Sequence, residues 1–417
     1  MNRPERTQGD TLLPSSTHAP LSLATFVAFA AALMSLNALA TDIMLPGFPE
    51  IAASFGQTDV TSVQAIVTAY LLGFGLSQFF TGFITDRYGR RPILIAGLLI
   101  YSVAAVFTAV ATSLSMMLVW RFIQGVGAAA PRVITSAAIR DCYQGRRMAA
   151  VMSLVMTVFM VAPIIAPAIG QGILIFAHWR WIFTVLAAYG IVLLIACAFV
   201  FPETLAVERR REISPARIAE AVRSVLGSRQ TMGYSVSAGV FFGALFGYIA
   251  SSQQVLVGIY ELGIWFPLVF ALLALTISTS SFVNARIVER FGMRLLSHMA
   301  VIAYSVLSFT MAMVAVQGWL SLPVFLVLMS MIMMIVGLVF SNFNALAMEP
   351  QGHVAGVAAS FIGGITVIVG ASIGYYIGLH FDGTVVPMAL GFGFCGIASM
   401  LIVVWTERGK LFGKSNG

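Results

Sequence analysis

Three residues in this sequence stand where ionic groups are costly. Asp42 lies in "NALATDIMLPGFP", near the end of an apolar run that begins around Leu21, and Arg121 and Arg132 lie inside the apolar stretch "WRFIQGVGAAAPR". A carboxyl group so placed has two readings. It marks the interfacial end of a helix, which Pro46 and Pro49 would support, or it takes up and releases a proton in a watery hollow. The second reading has a physical basis, because burial and a neighbouring arginine pull a carboxyl's proton affinity in opposite senses. An arginine inside a membrane span costs roughly 2.5 to 3.5 kcal/mol on insertion scales, so it turns toward protein or water. Eleven residues at 100° each bring Arg132 back to within about 20° of Arg121. With Gln124, Ala128 and Thr135 flanking them, the spacing predicts a polar ridge facing the interior. Asp42 and Arg121 fall in the outer parts of their helices and can meet, whereas Arg132 is about 16 Å deeper toward the other face.

The elements that hold these groups follow from composition. Over 417 residues, 59% are hydrophobic and 9% charged, which excludes a soluble globular surface and places the chain in a lipid bilayer. A helix needs about 20 apolar residues to cross. Twelve runs qualify: 22–46, 61–81, 92–111, 116–139, 148–174, 179–201, 231–255, 264–284, 296–317, 321–348, 354–380 and 386–405. "ALA" at Ala38 to Ala40 resembles a signal-peptidase site, but cleavage there would leave eleven spans and break the repeat described below. The net charge of +7 comes with no nucleic-acid module. Instead, nearly all Arg and Lys residues fall in alternate loops, which predicts that both termini are cytoplasmic. Cys142, Cys197 and Cys395 are widely spaced packed thiols, and the five histidines show no metal-ligand spacing. No metal, cofactor or enzymatic cluster is expected.

A long polar stretch, Pro202 to Gln230, separates six spans from six. The predicted organisation is a cytoplasmic tail 1–20, a helical half 21–203, a cytoplasmic loop 204–230, a second half 231–405 and a cytoplasmic tail 406–417. Part of the loop, Pro215 to Leu226, is either an amphipathic surface helix or a solvated linker. An internal echo supports the division: "DRYGRRPIL" at Asp86 returns as "ERFGMRLL" at Glu289, and "GRRMAAVMS" at Gly145 as "GHVAGVAAS" at Gly352. Two parallel six-span halves describe a transporter with its substrate site near the midplane between them.

The loop "GFITDRYGRRPIL", Gly82 to Leu94, matches the G-x-x-x-D-R-x-G-R-[RK] signature of the major facilitator superfamily. Gly82 permits close helix approach and Gly89 a turn, Asp86 caps a helix or pairs with Arg90, and Arg87 and Arg91 hold the loop cytoplasmic. "RFIQGVGAA" matches that superfamily's span-four motif. In span five, "APIIAPAIGQ" places Pro163 and Pro167 four residues apart, with Ala162, Ala166 and Gly170 as a small-residue seam. This resembles the antiporter motif G-P-x-x-G-P-x-x-G-G, with alanines at two glycine positions and Gln171 at the last. Those departures bear on whether the protein exchanges or co-transports.

Together with "HWRWIF", "FPET" and "MEPQGHVAGVAAS", these segments make residues 21 to 405 resemble the Bcr/CflA-type drug transporters. The resemblance implies an all-α integral membrane protein of twelve helices with the major facilitator fold, a monomeric secondary transporter in the bacterial inner membrane. It implies proton-driven efflux of amphipathic antibiotics such as chloramphenicol or bicyclomycin. It also implies that Asp42 is the proton site with Arg121 as its partner, and that Asp86 and Arg90 belong to the cytoplasmic gate. Relatives with a second acid earlier in span one are not matched, since Met34 and Asn37 occupy that region. Candidate polar contacts in the cavity are Asn37, Tyr70, Gln124, Arg132, Tyr248, Asn342 and Asn344, each of which has helix bridging as its alternative role. Met329, Met331, Met333 and Met334 are expected to pack or face lipid. A proton-coupled nutrient or metabolite uptake carrier on the same fold remains the rival reading.

Overall fold

The computed structural model describes residues 21–57, 60–210 and 215–412. Its first half contains α1 (Leu23–Asp42), α2 (Phe48–Ser54), α3 (Ala65–Tyr88), α4 (Arg90–Ala109), α5 (Leu114–Cys142), α6 (Gly145–Phe159), α7 (Val161–Phe176) and α8 (Arg180–Phe199). After α9 (Pro215–Gly227) come α10 (Arg229–Gln253), α11 (Phe266–Phe291), α12 (Met293–Val316), α13 (Leu322–Met348), α14 (Ala355–Leu379) and α15 (Val386–Thr406). Among the described residues, twelve helical segments are long and apolar enough to span a membrane, with α1 and α2 sharing the first and α6 and α7 the fifth. Among the described residues there is no strand. Part of the central loop, α9, is helical and packs on α10 and α14.

Local chemistry sets the breaks. Ser22, Ser113 and Ser228 cap α1, α5 and α10, each hydroxyl accepting from the backbone N–H three residues on. Pro46 and Pro49 cannot donate to a ladder, so α1 stops at Asp42 and a 3₁₀ turn, Leu45–Gly47, leads into α2. Gly89, at φ +98°, and Gly292, at φ +79°, make the same sharp corner after the second and eighth spans. In span five the missing donors of Pro163 and Pro167 divide α6 from α7 near Met160. Outward faces are as apolar as the interior: Phe80, Phe176, Phe199 and Leu401 are all exposed, as expected of helices whose solvent is lipid.

The packing repeats between halves. In the first half α3 packs on α5, and α4 packs on α5 and α8; in the second, α11 packs on α13, and α12 packs on α13 and α15. The halves meet along α3 and α14 and along α7 and α11. The first seam is tight along its length, because Gly75, Gly82, Gly364 and Gly378 each leave too little room for a Cβ against the facing helix. Span five touches span eight through α7, while α6 offers Met152 and Met156 to an open space between the halves. At the end away from the arginine-rich loops the halves are joined by side-chain amides. Gln64 Nε2 donates to Gln254 Oε1 at 2.6 Å, and Gln254 Nε2 donates to Thr61 Oγ1 at 3.1 Å. Gln254 opens a π-helical turn, Gln254–Ile259.

Candidate substrate cavity

Where α6 parts from α11, a chamber of about 760 Å³ is enclosed between the halves, a size suited to a drug-like ligand. Its inner end is lined by Asn37, Thr41 and Asp42 from α1 and by Tyr248 from α10. Toward the arginine-rich face the lining includes Arg132, Arg140, Asp86 and Arg90. The second half supplies Phe242, Phe246, Phe270, Phe340, Ser341 and Asn344, among others.

Asp42 is the last residue of α1, 4% exposed, and its Oδ1 has no hydrogen-bond partner. Its position depends on span five: a Cβ on Gly170 would lie 1.8 Å from the carbonyl oxygen of Ile43, so the glycine seam of α7 touches the backbone beside the acid. On α10, the Tyr248 hydroxyl is also buried without a partner.

The expected Asp42–Arg121 pair is not made. Arg121 is 0% exposed and donates to the Ala40 carbonyl at 2.8 Å, to Gln124 Oε1 at 2.8 Å and to the Ile66 carbonyl at 3.4 Å. Its guanidinium lies 4.6 Å from the Tyr70 ring centroid and 5.7 Å from that of Phe183. It braces α1, α3 and α5 from behind. The single interior ridge carrying both arginines is corrected for the same reason. At the level of Arg121, α3 covers α5 in a crossing so close that a Cβ on Gly125 would reach 2.0 Å from the Tyr70 carbonyl oxygen. Eleven residues on, that cover is gone and Arg132 lines the chamber.

Three further expected cavity contacts lie behind the wall. Tyr70 donates to Asn37 Oδ1 at 2.7 Å, and Gln124 accepts from Arg121. Asn342 and Asn284 exchange amide hydrogen bonds at 2.9 and 3.1 Å, tying α13 to α11. Buried amides and hydroxyls carry a large penalty unless paired; Tyr70 and Asn342 are paired by bridging helices, whereas Gln124 pairs within α5 and its Nε2 is left buried without a partner. Asn37, Asp42, Arg132, Tyr248, Asn344, Gly82, Asp86, Arg90 and Pro163 are in the chamber wall, whereas Pro167 and Gly170 are buried in packing. Met333 also lines the chamber, Met329 is core, and Met331 and Met334 are exposed.

The arginine-rich face carries a network wider than its loop motif. Arg90 Nη1 reaches Asp86 Oδ1 at 2.6 Å and Thr85 Oγ1 at 2.9 Å, and its Nε reaches Asp141 Oδ2 at 3.1 Å. Glu203 accepts from the backbone N–H of Arg90 at 2.9 Å and of Arg91 at 3.3 Å. Glycine is required at the corner by its φ of +98°, and a Cβ there would also stand 2.4 Å from Glu203 Oε2. Arg91 donates to the Ala198 carbonyl, and Arg87 lies over the exposed ring of Tyr88. Asp141 and Glu203 were missed by motif reading. Their signal was an acid at the end of span four and another in "FPET", both among arginines. The second half rebuilds the arrangement, with Arg294 bonding Glu349 at 3.1 Å and Glu407 at 3.0 Å.

The sequence matches the model of the Major Facilitator Superfamily over residues 28–375. It is 32% identical over 375 residues to the uncharacterized MFS-type transporter YdgK of Bacillus subtilis (strain 168), covering 88% of this chain and 91% of that one. It is 30% identical to the bicyclomycin resistance protein homolog of Haemophilus influenzae, covering 92% of this chain and 96% of that one. In three dimensions it resembles the inward open conformation of the xylose transporter XylE from E. coli, with a TM-score of 0.74 over 95% of this chain and 98% of that one. At 12% identity that likeness speaks for the fold alone.

Proposed function

The chain belongs to the major facilitator superfamily, and on that premise we propose that it exports amphipathic small molecules across the bacterial inner membrane in exchange for protons. The arginine-rich face is then cytoplasmic, with both termini on it, and the chamber is loaded from that side. The resistance named for the Haemophilus influenzae relative supports a drug-like substrate.

One observation carries the proton role. Asp42 is a buried acid with an unpartnered oxygen, and it stands in the wall of a chamber shared by both halves. An interfacial marker would be expected to stand in water or headgroups. Asp42 gains a proton when the chamber faces outward and gives it up when it faces inward, and a bound substrate competes with the proton for the carboxylate. Arg121 acts as a positioning residue, because its bond to the Ala40 carbonyl fixes the end of α1. The Gly170 contact with Ile43 gives movement of span five a direct route to the acid. Asp86 and Arg90, with Asp141 and Glu203, form the cytoplasmic gate.

Inverted vesicles test the reading. With an imposed proton gradient, chloramphenicol or bicyclomycin is expected to drive proton release through the wild-type protein. Asp42→Asn is expected to abolish that release at unchanged protein abundance. Proton release that persists in the variant would remove Asp42 from coupling. Substrate entry down a proton gradient into right-side-out vesicles would instead establish the uptake carrier.

A further inference from the structure

The charges in the chamber are not balanced locally. Asp86 is paired with Arg90, which is also held by Asp141. Arg132 and Arg140 have no ion pair, side-chain hydrogen bond or ring contact among the described residues, yet both line the chamber. Arg140 is exposed near the end of α5, but Arg132 lies within the span, as does Arg121, which is fully partnered. A guanidinium left bare inside a span is costly, and such a group is retained where water or a ligand meets it. Its planar fork of donors matches a carboxylate, sulfonate or phosphate bidentately.

We propose that Arg132 reads an anionic group on the transported molecule, so that the substrates include amphiphiles bearing a carboxylate or a similar monoanion, bound more tightly than neutral ones. This rests on the chamber being the transport site. Arg140 lies eight residues further along α5, about 12 Å nearer the mouth, and draws the anion inward. The apolar body of the substrate lies against Met152, Met156, Phe242, Phe246 and Phe340. Its far end reaches Asp42, about 16 Å beyond Arg132 by the helical rise between Arg121 and Arg132. A hydrogen-bond donor or cation at that end competes with the proton. Anion recognition and proton exchange thus occupy opposite ends of one chamber.

The test uses the full chain in nanodiscs, with empty nanodiscs subtracted, and three probes that share a ring system: naphthoate, naphthylmethanol and naphthylmethyl-trimethylammonium. The wild type is expected to bind naphthoate at least tenfold more tightly than the alcohol. Arg132→Gln is expected to lose that preference while binding the alcohol unchanged, which shows that the chamber is intact, and Arg132→Lys is expected to keep part of it. Arg140→Gln is expected to lower the preference by about twofold to threefold. Equal binding of the three probes, binding of none, preference for the ammonium, or a tenfold preference that survives Arg132→Gln would each overturn the proposal. The readouts separate this from the proton reading, because naphthoate preference in Arg132→Gln tests the anion site and drug-driven proton release in Asp42→Asn tests the acid, and either can fail while the other holds.

Discussion

The two six-helix halves share a packing plan but not a chemistry. Among the described residues, every charged residue in the chamber wall, Asp42, Asp86, Arg90, Arg132 and Arg140, comes from the first half. The second half lines the same space with phenylalanines, small residues and neutral polar groups such as Tyr248, Ser278, Ser341 and Asn344. Duplicated architecture therefore carries divided labour. Ionic groups are concentrated on one half, and the other presents a surface of low polarity, of the kind that suits varied ligands. The charged networks at the arginine-rich face show the same drift. Arg294, one place further past its corner glycine than Arg90, also bonds two acids, but they are Glu349 and Glu407, while Met293 stands where Arg90 does and Glu289 makes no salt bridge among the described residues.

The division predicts an ordered set of effects. Asp42→Asn should be the most damaging, lowering substrate-driven proton release by about a hundredfold or more in inverted vesicles. An equally large loss from any neutral lining residue of the second half would break the asymmetry. Next in size is Gly170→Val, which forces a side chain into the Ile43 carbonyl and should lower stability by about 1–3 kcal/mol and transport about tenfold. Gly172→Val, on the same helix but with nothing within 4 Å of its Cβ, should do neither. Thermal unfolding in detergent distinguishes the two.

Smaller effects sharpen the comparison between these networks. Arg90→Gln removes a guanidinium that is more buried than that of Arg294 and also bonds Thr85, so it should destabilise by about 1–2 kcal/mol, whereas Arg294→Gln should cost about 1 kcal/mol or less. Equal losses would mean that the second network is no weaker than the first. The smallest change is expected from Tyr248→Phe. The hydroxyl has no partner and the ring already stacks on Phe270 at 5.8 Å, so stability should hold and transport rates should shift within about twofold, altering only the order of preferred substrates.

Much of this was legible in the sequence because lipid imposes one simple rule. Apolar runs of sufficient length located all twelve spans, and the helices extend past those runs where their ends are polar, as with α3 to Tyr88 and α11 to Phe291. Gly89 and its echo Gly292 announced two corners. The partners of Arg121 were not legible, since two of its acceptors are backbone carbonyls, which have no signature in residue type. Nor could a helical wheel separate Arg121 from Arg132. Both lie on one face of α5, and only the crossing of α3 at Gly125 decides which of them is covered. Tyr70 and Asn342 were misplaced because a polar side chain in a span has the same appearance whether it meets a ligand or another helix.

The glutamine lock between Thr61, Gln64 and Gln254 has an electrical consequence. One elementary charge moved through 100 mV is worth about 2.3 kcal/mol, but neutral amides and a hydroxyl carry no net charge through that field when they separate. Parting the lock would thus be indifferent to voltage, and under the proposed exchange an applied potential would act on the charged species in the chamber rather than on these amides.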